Sequence, residues 1–523
     1  MKLAVRSLML VSIVTTFAYT QTLPHFQHIV IIVQENRTPD NLFGSGPVGS
    51  MCGHPDPFEP GVDIQDGGPA EGKGTICDSQ IHLLTGFDPN HSYENGWLVQ
   101  WHNGAMDGAC NTTVFNPNNV ILPYCPQYSY VIRSEVQPYF DIATNYGFAN
   151  YMFETNEGPS FPAHQFILSG TSAPVPPGNS GYNYFDAENP VNFNDSGCPF
   201  PKYTPSWVDP LGNETTQSVD CYTHNTLVNQ LDPNHITWRY YTPTEGVIWD
   251  APAAISGICG QVVNGNCTGP DFANVIWPGK GNTPLIPAIP SLQDVDVCNM
   301  QQVSWVIPDT LWSDHPASGG LGPSYVANLV DAIGNSTCKD ANGQTYWQDT
   351  AIFITWDDWG GWFDHVPPPA FYRGEIVNNQ PVCLTANAPN GWGCGYVYGF
   401  RVPLLVVSAY TPAGYVSGAI SGTTTYPPPK EYTHDFGSIL AFFENNFGLK
   451  NIAYPDLYYA DYNAVDWVLP NRNNIPLSDF FPGPYRGFSS ISPTNPEYNA
   501  NYFLNYYTNN NATPQGPDGD DSD

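Results

Sequence analysis

Acidic and amide side chains follow two short apolar runs of the sequence, and their types suit metal chemistry. Glu35 and Asn36 come directly after the first run, and Asp357 and Asp358 come directly after a later one. Carboxylate and amide oxygens suit Mg²⁺, Ca²⁺ or Mn²⁺ and do not exclude Zn²⁺ or iron. These four residues predict a site for a divalent metal ion of unassigned identity. The plainer alternative for each acidic pair is a solvated loop or a helix cap.

Ser160 is the candidate nucleophile. It follows Gly158-Pro159, which forces a turn, and it begins a segment that predicts a helix. A hydroxyl at a helix N-terminus lies beside free backbone N–H groups, which can also hold a phosphate group. The alternative is an ordinary N-cap serine without a chemical role. No G-x-S-x-G sequence surrounds Ser160, so the nucleophile elbow of the α/β-hydrolases is not indicated.

Four of the 12 histidines lie in polar, turn-rich segments, namely His91, His315, His365 and His434. An imidazole can contact a phosphate group or donate a proton to a leaving group near neutral pH. Each of the four could equally be a surface or structural histidine. Their residue type alone therefore assigns them no role.

A predicted pattern of buried strands and intervening helices indicates where the candidate metal ligands lie in the fold. Apolar runs rich in β-branched residues predict strands buried on both faces of a sheet, and they cover residues 28–33, 351–355 and 402–407. Residues 236–241 predict another strand. Helices are predicted over residues 138–146, 325–333 and 436–447. This alternation predicts an α/β fold with a mostly parallel sheet, in which ligands collect beyond the carboxyl ends of the strands. The four candidate metal ligands should therefore lie near one another.

The chain is predicted to hold one large domain between a leader and a tail. Residues 1–20 carry two cations before an apolar stretch, which is typical of a secretory signal peptide and too short for a membrane anchor. Residues 21–500 form the main domain, and within it residues 176–300, rich in Pro, Gly and Asn, are predicted to form a loop-rich cap. Residues 501–523 are Asn-rich and then acidic, which predicts a disordered tail.

The cysteines indicate the cellular compartment of the protein, and the net charge limits the classes of partner that it could bind. The 12 cysteines favour disulfides in an oxidising compartment. Sequence neighbours suggest the pairs Cys52–Cys77, Cys110–Cys125, Cys198–Cys221, Cys259–Cys267, Cys298–Cys338 and Cys383–Cys394, although the sequence leaves the connectivity open. A formal charge of −33 disfavours nucleic acid and anionic membranes as partners. The same charge also suits solubility alone.

Several motifs, taken in order, resemble those of a known family. Residues 28–44 read HIVIIVQENRTPDNLFG, a strand followed by Gln-Glu-Asn-Arg and then Phe-Gly. Gly158-Pro159-Ser160, Asp314-His315-Pro316 and the GGWFDHVPPP of residues 360–369 come later. This series resembles the phosphoesterase family that contains bacterial phospholipases C and acid phosphatases, and the resemblance extends over residues 25–450.

The resemblance implies a three-layer α/β/α sandwich like that of alkaline phosphatase. It implies that Ser160 matches the Ser or Thr nucleophile of the family. It also implies that Glu35, Asn36, Asp357 and Asp358 are metal ligands, and that His91 and His315 contact the phosphoryl group or the leaving oxygen. His365 and His434 lie in family segments but receive no role.

Two departures from the family pattern concern the site. The family often has Asp-Glu where this chain has Asp357-Asp358, so the second carboxylate has a shorter reach. Family members also tend to carry a histidine between the middle strand and the Asp-His-Pro segment. This chain has none between His235 and His315, so one phosphate contact is expected to be missing or replaced.

Together, the residues and the resemblance predict a secreted or periplasmic, metal-dependent phosphoester hydrolase that forms a phosphoserine at Ser160. Serine at this position and the short stretch after Leu449 favour an acid-phosphatase-like enzyme acting on small phosphomonoesters. One alternative is a phospholipase C acting on lipid phosphodiesters. Another is a non-catalytic binding protein whose 32 Tyr and 14 Trp form aromatic platforms. A sulfatase-like enzyme is disfavoured because the chain has no Cys-x-Pro-x-Arg sequence, and no oligomeric state is predicted.

Overall fold

The computed structural model of the protein describes residues 23–44, 52, 58–174, 185–190, 196–200, 206–208, 214–216, 221–282, 287, 289–340, 342–369, 374–377, 380–383, 398–421, 429–452, 460, 464, 466 and 474–517. The predicted signal peptide over residues 1–20 lies outside these ranges. Among the helices within them, none has the length and apolar character needed to cross a bilayer.

Eight strands form one large mixed sheet. They are β1 (His28–Gln34), β2 (Gly147–Ala149), β3 (Trp238–Tyr241), β4 (Val275–Ile276), β5 (Val303–Val306), β6 (Thr350–Trp356), β7 (Leu404–Ser408) and β8 (Tyr415–Ser417). Their order across the sheet is β4-β3-β5-β1-β6-β7-β2-β8. Every residue of β1 and β6 is buried, which explains why both have continuous apolar sequences.

Seven of the eight strands of this sheet run in the same direction, and β7 opposes them. β1 pairs in parallel with β5 on one side and β6 on the other, and β3 and β4 continue in the same direction. β7 runs antiparallel to both β6 and β2, whereas β8 is parallel to β2. The predicted α/β fold with a mostly parallel sheet is confirmed. The strand predicted over residues 402–407 instead spans Leu404–Ser408, and its carboxyl end points away from the edge where β1 and β6 end.

Four longer helices accompany the sheet, namely α1 (Gln137–Asn145), α2 (Ser160–Ser169), α3 (Gly322–Asn335) and α4 (Phe436–Phe447). Shorter helices lie at Pro39–Phe43, Leu98–Trp101, Val228–Leu231, Ala251–Ala254, Ser256–Cys259, Pro290–Asp296, Tyr346–Asp349, Ala500–Leu504 and Tyr506–Asn510. The helices predicted from the sequence correspond to α1, α3 and α4. Their amphipathic or apolar patterns are local, so their positions could be predicted without the rest of the fold.

Single helical turns and small sheets fill the loops. The turns are Tyr93–Trp97, His102–Gly104, Ala109–Asn111, Arg133–Glu135, Asp232–Asn234, Asp271–Asn274, Lys280–Asn282, Thr310–Trp312, Lys430–Tyr432 and Ser478–Phe480. The small sheets pair Gly67–Ala70 with Gly74–Cys77, Ser79–Ile81 with Ser129–Val131, Asp88–Pro89 with Val114–Phe115, Val262–Val263 with Asn266–Cys267, Gly374–Val377 with Gln380–Cys383, and Ser206–Val208 with both Phe185–Asp186 and Glu214–Thr216. The last of these sheets belongs to the loop-rich region.

Helices cover both faces of the sheet. Phe353 of β6 contacts Phe442 of α4, with ring centroids 5.3 Å apart. Trp356 of the same strand contacts Tyr139 of α1 at 5.0 Å. Because side chains alternate along a strand, positions 353 and 356 face opposite sides. Helices α4 and α1 therefore lie on opposite faces, and the fold has three layers.

The region predicted as a cap is partly core. Residues 176–300 contribute β3 and β4 to the central sheet, so the cap prediction is too broad. Tyr240 and Trp249 from this region are fully buried. The sequence predicted β3 as residues 236–241, whereas the dense Pro and Gly content of the region hid the two-residue strand β4.

The predicted disorder from residue 501 onward is wrong for the described part of the tail. Ala500–Leu504 and Tyr506–Asn510 are helical, and Phe503 and Tyr507 are buried. Both rings pack against Trp312 of the main domain. Two aromatic anchors therefore order a segment whose Asn-rich composition suggested otherwise.

Five of the six predicted disulfides are confirmed, namely Cys52–Cys77, Cys110–Cys125, Cys198–Cys221, Cys259–Cys267 and Cys298–Cys338. The sixth, Cys383–Cys394, lies outside the residues whose side chains are described. No cysteine in the described ranges is free. Each bond joins cysteines that are neighbours along the sequence, so each closes a short loop.

We expect the purified protein to show no free thiol after denaturation without reductant. Reduction should lower the melting temperature, because on the chain-entropy estimate each short loop closure contributes about 3 kcal/mol. Thiol titration in denaturant and thermal unfolding with and without reductant measure the two effects. Two or more titratable thiols would contradict the sixth pair, since the other ten cysteines are already bonded.

Candidate active site

Two strand ends bring the predicted metal ligands together. In the register of β1 and β6, Gln34 lies opposite Trp356, so the next residues, Glu35 and Asp357, leave the sheet side by side. The Asn36 backbone N–H donates to Asp357 Oδ1 at 3.0 Å. The side chains of Glu35, Asn36, Asp357 and Asp358 are all fully buried. The structure thus places the four predicted residues at one edge of the sheet.

The chain turns sharply at this edge. Asn36 has a left-handed backbone with φ 56°, a conformation that is uncommon for a residue other than glycine and that concentrates at functional sites. Gly360 also has a positive φ of 63°, and a Cβ atom there would lie 2.3 Å from the Asn36 carbonyl oxygen. Only glycine lets the loop after β6 lie this close to the loop after β1. This contact explains one glycine of the Gly-Gly motif.

Replacing Gly360 with alanine should displace Asn36 and lower both stability and activity. A left-handed alanine alone costs about 1–2 kcal/mol, and the close contact with the Asn36 carbonyl adds to that cost. Gly343→Ala is the matched control, because Gly343 has φ 80° but no atom within 4 Å of a built Cβ. Chemical denaturation and an activity assay should find Gly360→Ala clearly worse on both counts. Equal losses in the two variants would contradict the proposed contact.

Ser160 is the first residue of α2, and its hydroxyl is part of the same cluster. Its Oγ donates to Asp358 Oδ2 at 3.1 Å, and the side chain is fully buried. Asp358 Oδ1 accepts from the Gly360 backbone N–H at 2.7 Å, which holds the carboxylate in place. The N-cap residue of α2 is Pro159, with no side-chain cap. The alternative that Ser160 is only an N-cap serine is therefore wrong.

His91 and His315 lie beside each other, with ring centroids 6.4 Å apart. Nδ1 of His91 bonds to the Pro89 carbonyl at 2.9 Å, and Nδ1 of His315 bonds to the Pro316 carbonyl at 2.7 Å. Because a carbonyl can only accept, each Nδ1 carries a proton. In each ring Nε2 is therefore the atom that gains or loses a proton.

The tautomer of His91 determines how the Asn36 amide is oriented. His91 Nε2 lies 2.9 Å from Asn36 Nδ2, so the amide nitrogen donates to the ring. Among the described residues, Asn36 Oδ1 has no hydrogen-bond partner, and neither has Asp357 Oδ2. Buried oxygens without a donor are costly. A bound cation would satisfy both, so the donor set fits the predicted metal ion.

His164 belongs to this cluster, although the sequence assigned it no role. Its Nε2 lies 3.3 Å from Glu35 Oε1 and 3.7 Å from Asp357 Oδ2. Burial lowers the pKa of His164 to about 4, against a smaller opposing effect of Asp357. The spacing of Ser160 and His164 was the available signal, since residues four apart lie on one face of a helix.

Glu154 is a second residue that the sequence did not single out. It is fully buried, and its Oε1 accepts from the Phe400 backbone N–H at 2.8 Å. Burial, together with the charge of Asp358, raises the pKa of Glu154 well above its usual value. No local pattern marks this residue, because its neighbours come from distant parts of the chain.

His365 belongs to a separate, structural cluster. Its ring bonds to Asp40 Oδ2 at 2.7 Å and to Asp63 Oδ1 at 3.1 Å. The buried Arg401 donates to both oxygens of Asp364, at 2.7 and 2.9 Å, and also to Asp40. Two cationic side chains therefore compensate the three carboxylates. This ion-pair network gives the Asp364-His365 segment a structural role.

The His365 network makes stability depend on pH. Burial opposes the charged ring, but Asp40 and Asp63 outweigh it and raise the pKa of His365 to about 10. A raised pKa in the folded state gives stability that is complete below about pH 6.5 and is lost as the pH rises towards 10. The stability advantage of the parent over His365→Gln should therefore shrink between pH 7 and 10. His82→Gln is the control, since His82 pairs with Glu135 while largely exposed. Denaturant unfolding across this pH range measures both, and a constant difference would contradict the assignment.

His434 completes an arrangement that resembles a Ser-His-Asp triad. Its Nδ1 bonds to Asp466 at 2.8 Å, and its Nε2 lies 2.8 Å from Ser417 Oγ. The Ser417 hydroxyl donates to Asp479 at 2.5 Å, so the histidine must donate to the serine. Burial opposes the charged ring, but Asp466 outweighs it and raises the pKa of His434. Ser417 therefore lacks the base that a nucleophile needs.

Comparisons with known proteins identify a family model and several sequence relatives that match this chain. A model of the phosphoesterase family matches residues 26–450, which include each residue of the cluster around Ser160. The chain is 22% identical to hemolytic phospholipase C of Pseudomonas aeruginosa over 492 residues, or 88% of this chain and 59% of that protein. It is 24% identical to phospholipase C B of Mycobacterium tuberculosis over 418 residues, or 74% of this chain and 69% of that protein.

A non-hemolytic phospholipase C of Pseudomonas aeruginosa is also similar, at 24% identity over 449 residues. That match covers 81% of this chain and 54% of the relative. The chain thus spans a little over half the length of both Pseudomonas relatives. Their sequences extend well beyond the shared region.

Proposed function

Because this chain belongs to the phosphoesterase family, we propose that it is a metal-dependent phosphoester hydrolase with Ser160 as its nucleophile. One observation carries the proposal: the Ser160 hydroxyl donates to Asp358 beside the buried oxygens of Glu35, Asn36 and Asp357. A nucleophile, an acceptor for its proton and a donor set for a metal ion thus share one site. This combination fits phosphoryl transfer.

In this mechanism the Ser160 oxygen bonds to phosphorus as the bond from phosphorus to the leaving oxygen breaks. Asp358 Oδ2, which already accepts the hydroxyl hydrogen bond, takes the proton. His315 donates a proton from Nε2 to the leaving alcohol, since Nε2 of His91 already accepts from the Asn36 amide. Water then attacks phosphorus as the bond from phosphorus to the Ser160 oxygen breaks. The water gives a proton to His315, and Asp358 returns its proton to Ser160.

The metal ion would be held by Glu35, Asn36, Asp357 and Asp358. When bound, it would lower the pKa of the Ser160 hydroxyl and neutralise charge on the transferring phosphoryl oxygens. Asn36 contributes its amide oxygen, because its amide nitrogen is engaged by His91. Asp358 is shorter than the Glu common in the family, yet it reaches Ser160.

Two observations favour different substrate classes for this site. Serine at position 160 favours small phosphomonoesters, as in acid phosphatases. The names of the similar proteins favour a second candidate, phospholipase C activity on lipid phosphodiesters. The two candidate activities use the same nucleophile. Their substrates differ in whether the phosphorus atom carries one ester bond or two.

A pair of chromogenic substrates with the same leaving group, one monoester and one diester, separates the two candidates. We expect release of the chromophore that requires added divalent metal and stops with chelator. A higher kcat/KM on the monoester supports the phosphatase. Preference for the diester, together with diacylglycerol release from phospholipid vesicles, supports the phospholipase. No hydrolysis of either substrate under any metal would reject both.

A non-catalytic binding protein with aromatic platforms is disfavoured by where the tryptophans lie. Most tryptophans in the described ranges are buried, including Trp249, Trp305 and Trp359. A platform for sugars or surfaces needs exposed rings. The aromatic content instead fills the core and the surroundings of the site.

We also propose that the protein is exported. Five disulfides support this proposal, because such bonds persist in oxidising compartments. Expression of the full chain with an affinity tag at its C-terminus, followed by fractionation, would test it. Recovery of the protein only from the cytoplasm, with reduced thiols, would contradict export.

A further inference from the structure

His164 is a buried histidine whose ring faces two carboxylates of the site. It lies one helical turn after Ser160 on α2, and its side chain is fully buried. Single ligand atoms of Glu35, His164 and Asp357 all lie within 4.8 Å of one another. The hydrolytic mechanism above gives this side chain no task.

The other nitrogen of the ring determines which atom carries the lone pair. The Tyr240 hydroxyl donates to the Trp249 carbonyl at 2.7 Å, so its proton is already used. The same hydroxyl oxygen lies 3.5 Å from His164 Nδ1, and it can only accept there. Nδ1 therefore carries the proton, and Nε2 of a neutral ring directs a lone pair at Glu35 and Asp357.

A lone pair that faces two carboxylates is unfavourable unless a positive charge lies between them. A proton on Nε2 would make a charged hydrogen bond, which is normally about 2.7–2.9 Å long. The observed separations are 3.3 Å to Glu35 and 3.7 Å to Asp357. Two ligand atoms that each lie roughly 2.1 Å from one metal ion are about 3.0 Å apart when the ligand–metal–ligand angle is octahedral and about 3.4 Å apart when it is tetrahedral. The separation to Glu35 lies within this range and the separation to Asp357 is slightly longer, whereas both exceed the length of a charged hydrogen bond, so the spacing is closer to that of a shared metal ion than to that of a shared proton.

We propose that His164 Nε2 is a ligand of the metal ion, together with Glu35 and Asp357. This inference rests on the proposed function, because it assumes that the site binds a metal ion. Asp357 Oδ2 supports it, since this buried oxygen has no hydrogen-bond partner among the described residues. The site is then a mixed nitrogen and oxygen site.

A nitrogen ligand changes which ions the site selects. Imidazole suits Zn²⁺, iron, Ni²⁺ and Cu²⁺, whereas a site built only of carboxylate and amide oxygens suits Mg²⁺, Ca²⁺ and Mn²⁺. The oxygen ligands alone leave this choice open. With His164 as a ligand, the site should prefer a transition metal over Mg²⁺.

Metal titration of the chelator-treated protein tests the proposal without an activity assay. The variant is His164→Asn, whose shorter amide can replace Nδ1 at Tyr240 but cannot reach the carboxylates. We expect its affinity for Zn²⁺ and Co²⁺ to fall roughly tenfold to a hundredfold, the range seen when groups supporting a metal site are lost. Its affinity for Mg²⁺ should change much less, and the visible spectrum of bound Co²⁺ should shift.

His224→Asn is the matched control. His224 is also buried, it bonds to Ser169 at the end of the same helix, and burial lowers its pKa to about 4 as well. Its loss should leave the affinity for Zn²⁺ and the Co²⁺ spectrum unchanged. If His164→Asn does not fold, judged by circular dichroism, His164→Gln repeats the Co²⁺ measurement.

The competing explanation predicts a change of opposite sign. If His164 is only an imidazolium paired with Glu35, its removal deletes a competing positive charge, so metal should bind equally or more tightly. Equal or tighter metal binding by His164→Asn, or an unchanged Co²⁺ spectrum, would overturn the proposal that His164 is a ligand. Neither result would contradict the proposed hydrolase function. A parent protein that binds no metal would overturn this inference and the metal-dependent function together.

Discussion

Ser160→Ala is expected to reduce turnover by roughly 10³-fold to 10⁶-fold, the range found when a catalytic nucleophile is removed. The substitution deletes the oxygen that would attack phosphorus. It leaves Glu35, Asp357 and both neighbouring histidines in place. The lost hydrogen bond to Asp358 should cost only about 1 kcal/mol of stability, so the variant should stay folded and bind metal.

Circular dichroism should first establish that the Ser160 variant is folded, and both chromogenic esters are then assayed beside the parent. Ser169→Ala is the matched control, because Ser169 is a buried serine on the same helix that bonds to His224 instead. It should keep near-parental turnover. Near-parental turnover of Ser160→Ala would reject the nucleophile.

Trapping a phosphoserine separates covalent catalysis from attack by water. The parent is quenched in acid during turnover and digested, and the peptide that contains Ser160 is analysed by mass spectrometry. A phosphate on Ser160 supports the covalent route. An inactive Ser160→Ala variant with no trapped phosphate in the parent would favour direct attack by water positioned at Ser160.

Glu35→Gln is expected to lose most of its bound metal and nearly all of its activity. Glutamine preserves the shape of the side chain but removes the negative charge that a divalent ion requires at a buried site. The strand before it is held by packing on both faces, so the fold should persist. Elemental analysis of the purified variant and parent measures the metal directly.

A second buried glutamate provides the control for this variant. Glu444 of α4 is buried, and its Oε2 accepts from Asn451 at 2.6 Å. Glu444→Gln should retain full metal occupancy. Full occupancy in Glu35→Gln would reject Glu35 as a ligand, and Asp358→Asn tests in the same way the position where the chain departs from the family pattern.

Local pattern was enough to predict much of the fold. The continuous apolar sequences of β1 and β6 follow from their burial on both faces, and helix α4 was predicted with its observed bounds, Phe436–Phe447. The direction of β7 was not predictable in this way. An apolar strand has the same appearance in a parallel or an antiparallel sheet, since only its neighbours determine its direction.

Strand-end topology also anticipated where the metal ligands meet. Glu35 and Asp357 follow parallel neighbouring strands, so their proximity required only the order of the strands. His164 needed more. Its place beside them depends on how α2 packs over the sheet edge, and its tautomer depends on Tyr240 and Trp249 from a distant segment.

The sequence by itself determined which residues could do chemistry, the α/β class and the disulfide neighbours, because these depend on residue type, short-range periodicity and spacing along the chain. Only the tertiary structure decided that Ser160 bonds to Asp358 rather than capping its helix, that His365 is held in an ion-pair network, and that His164 faces the carboxylates. Each of these outcomes is a close approach of polar atoms from residues far apart in the chain. Such contacts form only where packing brings their atoms within about 3 Å and excludes water.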